Sequence, residues 1–365
     1  MMLMTVESLR ADDPLLFASS FKPGDLGAIQ AYRVDLQTGT LHPLQRTSGV
    51  ENPFFLALSP DRKFLYSIHA KQFGGKEPEH IAAYQLTDHD GGLKLLNRQS
   101  TRGTASCSLA VDRSGRTVLV ANYTSGDIAS LPVQKDGSLQ ESASFIRHQG
   151  SSVNPARQKE PHAHCIVVSP DNRFVLAADL GTDQVLVYRL DETTSKLTPH
   201  DPPLAKSPAG AGPRHLVFHP NGERVYVINE LSNSVSVYDW NARAGTLKEL
   251  QTIATLPPDF TGVSHCADLK ITPDGRFLYG TNRGHDSLAC YRIGDDGRLT
   301  LLKIESSLGK GPQNLLITPD GRLLLCANMP GSSIAVFRID TQTGTLQSIG
   351  TPVELASPSC LMLVP

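Results

Sequence analysis

Five ionisable side chains stand at the ends of short apolar runs: His164, Arg214, Glu230, Asp268 and Arg283. Together they are the parts of a proton-transfer site. An imidazole or a carboxylate takes a proton from a reacting group. Guanidinium groups grip a carboxylate or a phosphate through paired hydrogen bonds. His162 lies two places before His164, so in an extended segment both rings point the same way. The same residues also make simple ion pairs, Arg214 with Glu230 and Asp268 with Arg283, which would only tie elements together. Which reading holds depends on the elements that carry them.

Those elements repeat. The segments LSPDRKFLY, VDRSGRTVL, VSPDNRFVL, FHPNGERVY, ITPDGRFLY and ITPDGRLLL each place a tight turn between two apolar runs. Their second turn residues are Pro60, Arg113, Pro170, Pro220, Pro273 and Pro319, so the spacings are 53, 57, 50, 53 and 46. A motif at a period near fifty marks a repeat fold. Proline fixes φ in such a turn, and Gly or Asn accepts a positive φ. A second alternating hairpin follows each one, as in NSVSVYDWNARAGTLKEL and SSIAVFRIDTQTGTLQSI. These second hairpins number seven against six of the first. The missing hairpin is split: SPSCLMLVP near the C-terminus matches the run before each turn, and PLLFASSF near the N-terminus matches the run after it.

The fold expected is therefore all-β: a seven-bladed β-propeller of four-stranded antiparallel blades, with one blade closed by both chain ends. One domain spans 1–365, and 1–13 reads as a flexible tail.

The repeat acts as its own control, because a side chain needed only to build a blade recurs in most blades. Six places before the turn residue stand Phe54, Cys107, His164, Arg214, Ala267 and Gln313, with Ser359 in the split blade. The next place holds Phe55, Ser108, Cys165, His215, Asp268, Asn314 and Cys360. Nine places after the turn, Asn or Asp recurs and reads as a strand-end cap. One further place gives Ala70, Tyr123, Leu180, Glu230, Arg283 and Met329. In a meander these positions meet at one mouth of the central channel. The charged exceptions fall in the third, fourth and fifth blades, in one sector of that mouth, where ligand sites tend to lie.

The long segment FIRHQGSSVNPARQKEPHAH leads into the third blade and carries Arg157; it reads as either a lid or a plain surface loop. HAKQFGGKEPEH, on the same rim, reads as mobile.

The totals narrow the partners. Thirty-four basic and 36 acidic residues give a net charge of −2, which argues against nucleic acid. No apolar stretch has the length of a membrane span or a secretory core. The six cysteines are scattered without a Cys-x-x-Cys pair and read as buried thiols. A cytoplasmic, monomeric protein is expected. No third or fourth metal ligand stands at metal-site spacing, and two arginines would repel a cation, so neither metal nor cofactor is expected.

The segments NPARQKEPHAHC, GPRHLVFHPNGERVYVINEL and TPDGRFLYGTNRGHDSLACY resemble the seven-bladed propeller lactonases, which include propeller-type 6-phosphogluconolactonases and carboxy-cis,cis-muconate lactonizing enzymes. The resemblance runs through all seven blades. It implies a metal-independent cytoplasmic enzyme acting on an anionic lactone at the channel mouth, most simply 6-phosphogluconolactone. The family's catalytic His, Arg, Glu and second Arg would fall on His164 (or His162), Arg214, Glu230 and Arg283. Substrate contacts would come from Arg157, His162, His215, Asp268, His285 and Gln313. Three departures bear on the substrate: Asp268 where the family often has Glu, Gln313 where it has Arg, and Ser108 where it has His. Either Glu230 or His164 serves as the base. The alternatives are a carboxymuconolactone cycloisomerase and a non-catalytic binding propeller.

Overall fold

A computed structural model describes residues 13–365. The tail expected over 1–13 therefore lies outside the described residues except for Asp13. Among the described residues, twenty-eight strands form seven four-stranded antiparallel sheets, with one short 3-10 turn at Gly24–Leu26. The split blade is closed as the half-motifs require: Leu15–Ser20 pairs with Pro358–Val364, bringing Leu15 opposite Val364.

The first strand of every blade lies innermost. Leu56–Leu58, Ser106–Val111, Ala163–Val168, Pro213–Phe218, His265–Ile271, Pro312–Ile317 and Pro358–Val364 touch one another in turn around the channel. Alternating strands give each blade two apolar faces, so the core divides into seven clusters, each between two neighbouring blades. Between the fourth and fifth blades, Tyr226, Ile228 and Val235 meet Leu278, Ala289 and Tyr291. Each fully buried side chain of this size stabilises the fold by about 1.5–3 kcal/mol.

A tyrosine latch repeats across these seams. Tyr66, Tyr226 and Tyr279 donate their hydroxyls to the carbonyls of Gly137, Gly297 and Gly344 in the next blade, at 3.1, 2.8 and 2.9 Å. Gly344 has φ +78°, and a Cβ there would lie 2.2 Å from the Phe277 ring. Only glycine satisfies both the turn and the seam at this position.

The inner strands share a departure from simple pairing that positions the site. In the third blade Ala163 faces Asp179 and Cys165 faces Ala178, so His164 is an extra residue. In the fourth, Pro213 faces Asn229 and His215 faces Ile228, leaving Arg214 extra. Cys107 and Gln313 are extra in the second and sixth blades, and the fifth shifts register between Cys266 and Leu269. These are β-bulges, which bend a strand and re-aim a side chain. The strand-end Asn residues bond backbone distant in sequence, where local backbone was expected: Asn282 and Asn328 donate to the Thr255 and Ser307 carbonyls at 2.9 and 3.1 Å. All six cysteines are buried and unbridged.

Candidate active site

Glu230 follows the second strand of the fourth blade (Arg224–Asn229), at the mouth. Three arginines converge on its carboxylate. Arg214 Nε and Arg283 Nη2 both donate to Oε2 at 2.9 Å. Arg157 Nη2 donates to Oε1 at 2.7 Å. The three come from separate places: the bulge of the fourth blade, the second strand of the fifth blade (Phe277–Arg283), and the long loop before the third blade. Arg214 is buried, with its Nη1 donating to the Ala267 carbonyl at 2.6 Å. The side chains of Arg283 and Arg157 remain 27 % and 34 % exposed, so a ligand in the mouth can reach both.

The electrostatics follow from this crowding. Burial alone would raise the Glu230 pKa, but the charges of Arg283 and Arg214 and the Arg157 hydrogen bond outweigh it and hold the group at about 2. Burial, then the Arg283 charge, lowers Arg214 to about 10. His164 is pushed well below its ordinary value by burial and then by the charge of Arg214. Its imidazole is neutral at neutral pH.

His164 and His162 both meet Tyr123, as their spacing requires. His162 stacks on that ring at 4.4 Å and 11°, and His164 meets it edge-on at 5.4 Å. His162 Nδ1 also lies 2.9 Å from the Tyr123 carbonyl, and His164 Nδ1 lies 3.6 Å from the Cys107 thiol. Tyr123 accepts a hydrogen bond from Arg157 Nη2 at 3.1 Å, which joins the histidines to the arginine cluster. Tyr123 was not singled out by charge; its signal was its place, the slot that holds Glu230 and Arg283 in other blades.

Below the mouth, His215 and Asp268 form a separate pair. His215 Nδ1 lies 2.8 Å from Asp268 Oδ1, while Oδ2 accepts from Lys270 Nζ, Asn314 Nδ2 and the Leu315 amide at 2.7, 2.7 and 2.9 Å. Burial would raise the Asp268 pKa, but Lys270 and His215 overcome it and depress the group. Burial, then Arg214, lowers His215 to about 4. From the opposite blade the Phe55 ring reaches His215 at 6.0 Å and narrows the channel.

The ion pair read between Asp268 and Arg283 does not form. Asp268 belongs to the lower layer with Lys270, which is the nearer cation, and Arg283 turns up to Glu230. Gln313 reaches the cluster weakly, its Oε1 lying 3.4 Å from Arg283 Nη1. His285 shares no hydrogen bond or ring contact with the cluster; its Nδ1 lies 2.6 Å from Ser287 Oγ and its ring meets Phe260.

The loop carrying Arg157 is a tied wall rather than a free lid. Asp179 holds both of its ends, through His148 Nδ1 at 2.6 Å and the His162 amide at 2.9 Å. The buried Gln158 side chain donates to the Leu180 carbonyl and to Asp183 at 2.9 and 2.7 Å. Among the described residues, no group of three or more His, Cys, Asp or Glu is placed to hold a metal ion. A groove of about 1020 Å³ at the outer rim of the sixth and split blades contains none of the residues above.

Comparison with known proteins agrees with the whole-chain repeat. Residues 15–363 match the model of the family described as lactonase, 7-bladed β-propeller. A 6-phosphogluconolactonase of Bacillus subtilis is 33 % identical, covering 94 % of this chain and 97 % of its own. One from Formosa agariphila is 32 % identical, covering 92 % and 95 %. The solved structure of a Pseudomonas aeruginosa periplasmic gluconolactonase superimposes with a TM-score of 0.90 at 33 % identity, over 96 % of this chain and 99 % of that one. The chain belongs to the seven-bladed β-propeller lactonase family.

Proposed function

We propose that this protein hydrolyses an anionic sugar lactone at the channel mouth, with 6-phosphogluconolactone as the substrate and 6-phosphogluconate as the product. The observation that carries this reading is the gathering of Arg157, Arg214 and Arg283 on the single carboxylate of Glu230. Three cations against one anion leave an excess of positive charge, two of them within reach of the mouth. That excess suits a ligand bringing its own negative charge.

In this reading water adds to the lactone carbonyl carbon. His164 takes the water proton, because its ring is neutral and its Nε2 has no hydrogen-bond partner among the described residues. Both Glu230 oxygens are already engaged by arginines, so Glu230 serves chiefly to hold them in place. Arg283 stabilises the oxyanion that develops on the carbonyl oxygen. The carbon–oxygen ring bond then breaks, and the ring oxygen leaves as a hydroxyl after receiving the proton from His164. A δ-lactone needs no covalent nucleophile, and the sequence has no Gly-x-Ser-x-Gly elbow.

The test is hydrolysis of freshly made 6-phosphoglucono-δ-lactone with a chelator present and the spontaneous rate subtracted. Turnover above background that is lost in Arg283→Ala supports the reading. No turnover by the wild type rejects this substrate, and full turnover by Arg283→Ala rejects the site.

A further inference from the structure

The sector of the mouth facing the arginines is aromatic. Phe21, Phe54 and Phe73 form a closed triad, with ring centroids 5.3, 5.1 and 4.9 Å apart. Phe54 and Phe73 stack at 29°, and Phe21 meets both nearly at right angles. All three are partly exposed. Phe54 also packs against the core between the first and second blades, and Phe21 and Phe73 belong to no core cluster among the described residues. Phe54 fills the slot that is Cys107, His164, Arg214, Ala267 and Gln313 elsewhere. Phe21 follows the second strand of the split blade, where Glu230 and Arg283 stand in theirs.

The loop carrying Phe73 reads as mobile in sequence, and the structure shows one tie within it. Glu79 is 2 % exposed and accepts the amides of Gly74, Ala105 and Ser106 at 2.8, 3.0 and 2.6 Å. A buried carboxylate thus holds the backbone beside Phe73, whose ring stacks on Phe54. The triad is thus pre-organised, which lowers the ordering cost of binding.

The triad is also continuous with the candidate active site. Phe54 adjoins Phe55, whose ring crosses the channel to His215, the neighbour of Arg214. A ligand held by the arginines has this wall on its other side. We propose that Phe21, Phe54 and Phe73 form a second subsite that takes an apolar ring or chain carried by the same anionic ligand. The mouth is then built for an amphipathic lactone, with charge on one side and an apolar substituent on the other. This rests on the mouth being the ligand site, and it adds lactones with an apolar substituent to the anionic sugar lactone proposed above.

Two measurements separate the subsite from the reaction. The first needs no catalysis: anilinonaphthalene sulfonate, an aromatic body with one anionic group, is titrated into the full chain by fluorescence and calorimetry. One saturable site per chain is expected. Phe73→Ala, Phe54→Ser and Arg157→Ala each weaken it by about tenfold, on the scale of one lost aromatic or ionic contact. Leu95→Ala, at an exposed leucine on an outer strand, leaves it unchanged. The second compares kcat/KM for dihydrocoumarin, an aryl-fused lactone, with that for glucono-δ-lactone. Phe73→Ala lowers the ratio by about tenfold and Phe73→Leu restores part of it. Probe binding that ignores the phenylalanines, or equal loss on both lactones, overturns the proposal. If the wild type hydrolyses neither of these uncharged lactones, the probe titration alone decides the subsite, and the functional reading is decided by the phosphorylated lactone.

Discussion

Glu230 and Asp268 are both buried carboxylates beside the channel, both with depressed pKa values, and they are held by different kinds of partner. Asp268 is satisfied from inside: a buried histidine, an asparagine, a backbone amide and one lysine. Of these partners the histidine and the asparagine are buried, while the Lys270 side chain keeps 32 % exposure. Glu230 is held by three guanidinium groups, two of which face the mouth. A bound anion shares those two arginines, and Glu230 then feels less positive charge. In the reading proposed above, the first arrangement is a fastening and the second is the site. A low carboxylate pKa by itself does not distinguish them; the reach of the partners does.

The sharpest way to break this contrast is Arg283→Ala. Turnover should fall by about a thousandfold, as for removal of an oxyanion donor, while thermal stability stays close to wild type. Asp268→Asn should show the reverse. Leaving Lys270 and His215 without their anion should cost about 3 kcal/mol in urea unfolding, with KM unchanged in what remains folded. A large KM change in Asp268→Asn would place that residue in the site after all. Glu230→Gln removes the internal counter-ion, so inorganic phosphate, measured by calorimetry, should bind about tenfold tighter even as turnover drops. Weaker phosphate binding would mean that Glu230 orders the arginines more than it competes for them.

The pH dependence sharpens the same point. Both carboxylates have folded pKa values below their unfolded ones, so their stabilisation is complete above about pH 4 and is lost as pH falls toward the folded values. Melting curves between pH 7 and about pH 3 should show this loss, and Glu230→Gln should lessen it. His164 is neutral in the folded state to well below its ordinary pKa. Activity should therefore hold as pH falls through about 6.5, where a free imidazole would protonate. An acid limb at that pH would remove His164 as the base. The smallest effect expected is Gly344→Ala, a loss of about 1–3 kcal/mol from the positive φ and the Phe277 contact, with unchanged kinetics.

Much of this architecture could be read because a repeat carries its own control. Blade number, the split blade and the cluster of exceptions all came from comparing one blade with the next. Arg157 was legible only as a charge in a long loop; its arrival on Glu230 depends on Asp179 and Gln158, whose roles are contacts distant in sequence. The exchange of partners between Asp268 and Arg283 was hidden because register alone does not say which of two layers a side chain joins. The bulges were missed for a similar reason. Alternation describes a regular ladder, and an extra residue shows only as a polar pair, Arg214–His215 or Gln313–Asn314, at the start of an apolar run. Phe73 is not legible in the sequence because the Gly and charge around it read as mobility, while the tie lies in a carboxylate five residues on from Gly74.

Those bulges also bear on how such a protein changes. Because the extra residue stands outside the regular pairing, its side chain can be exchanged without disturbing the blade that carries it. The molecule already displays the result: cysteine, histidine, arginine, alanine, glutamine and serine stand at these register shifts in six of the blades. The inner ring is thus a row of separately variable positions on a constant frame. New ligand preferences are open to single substitutions there, and the cost to folding is kept apart from the gain in chemistry.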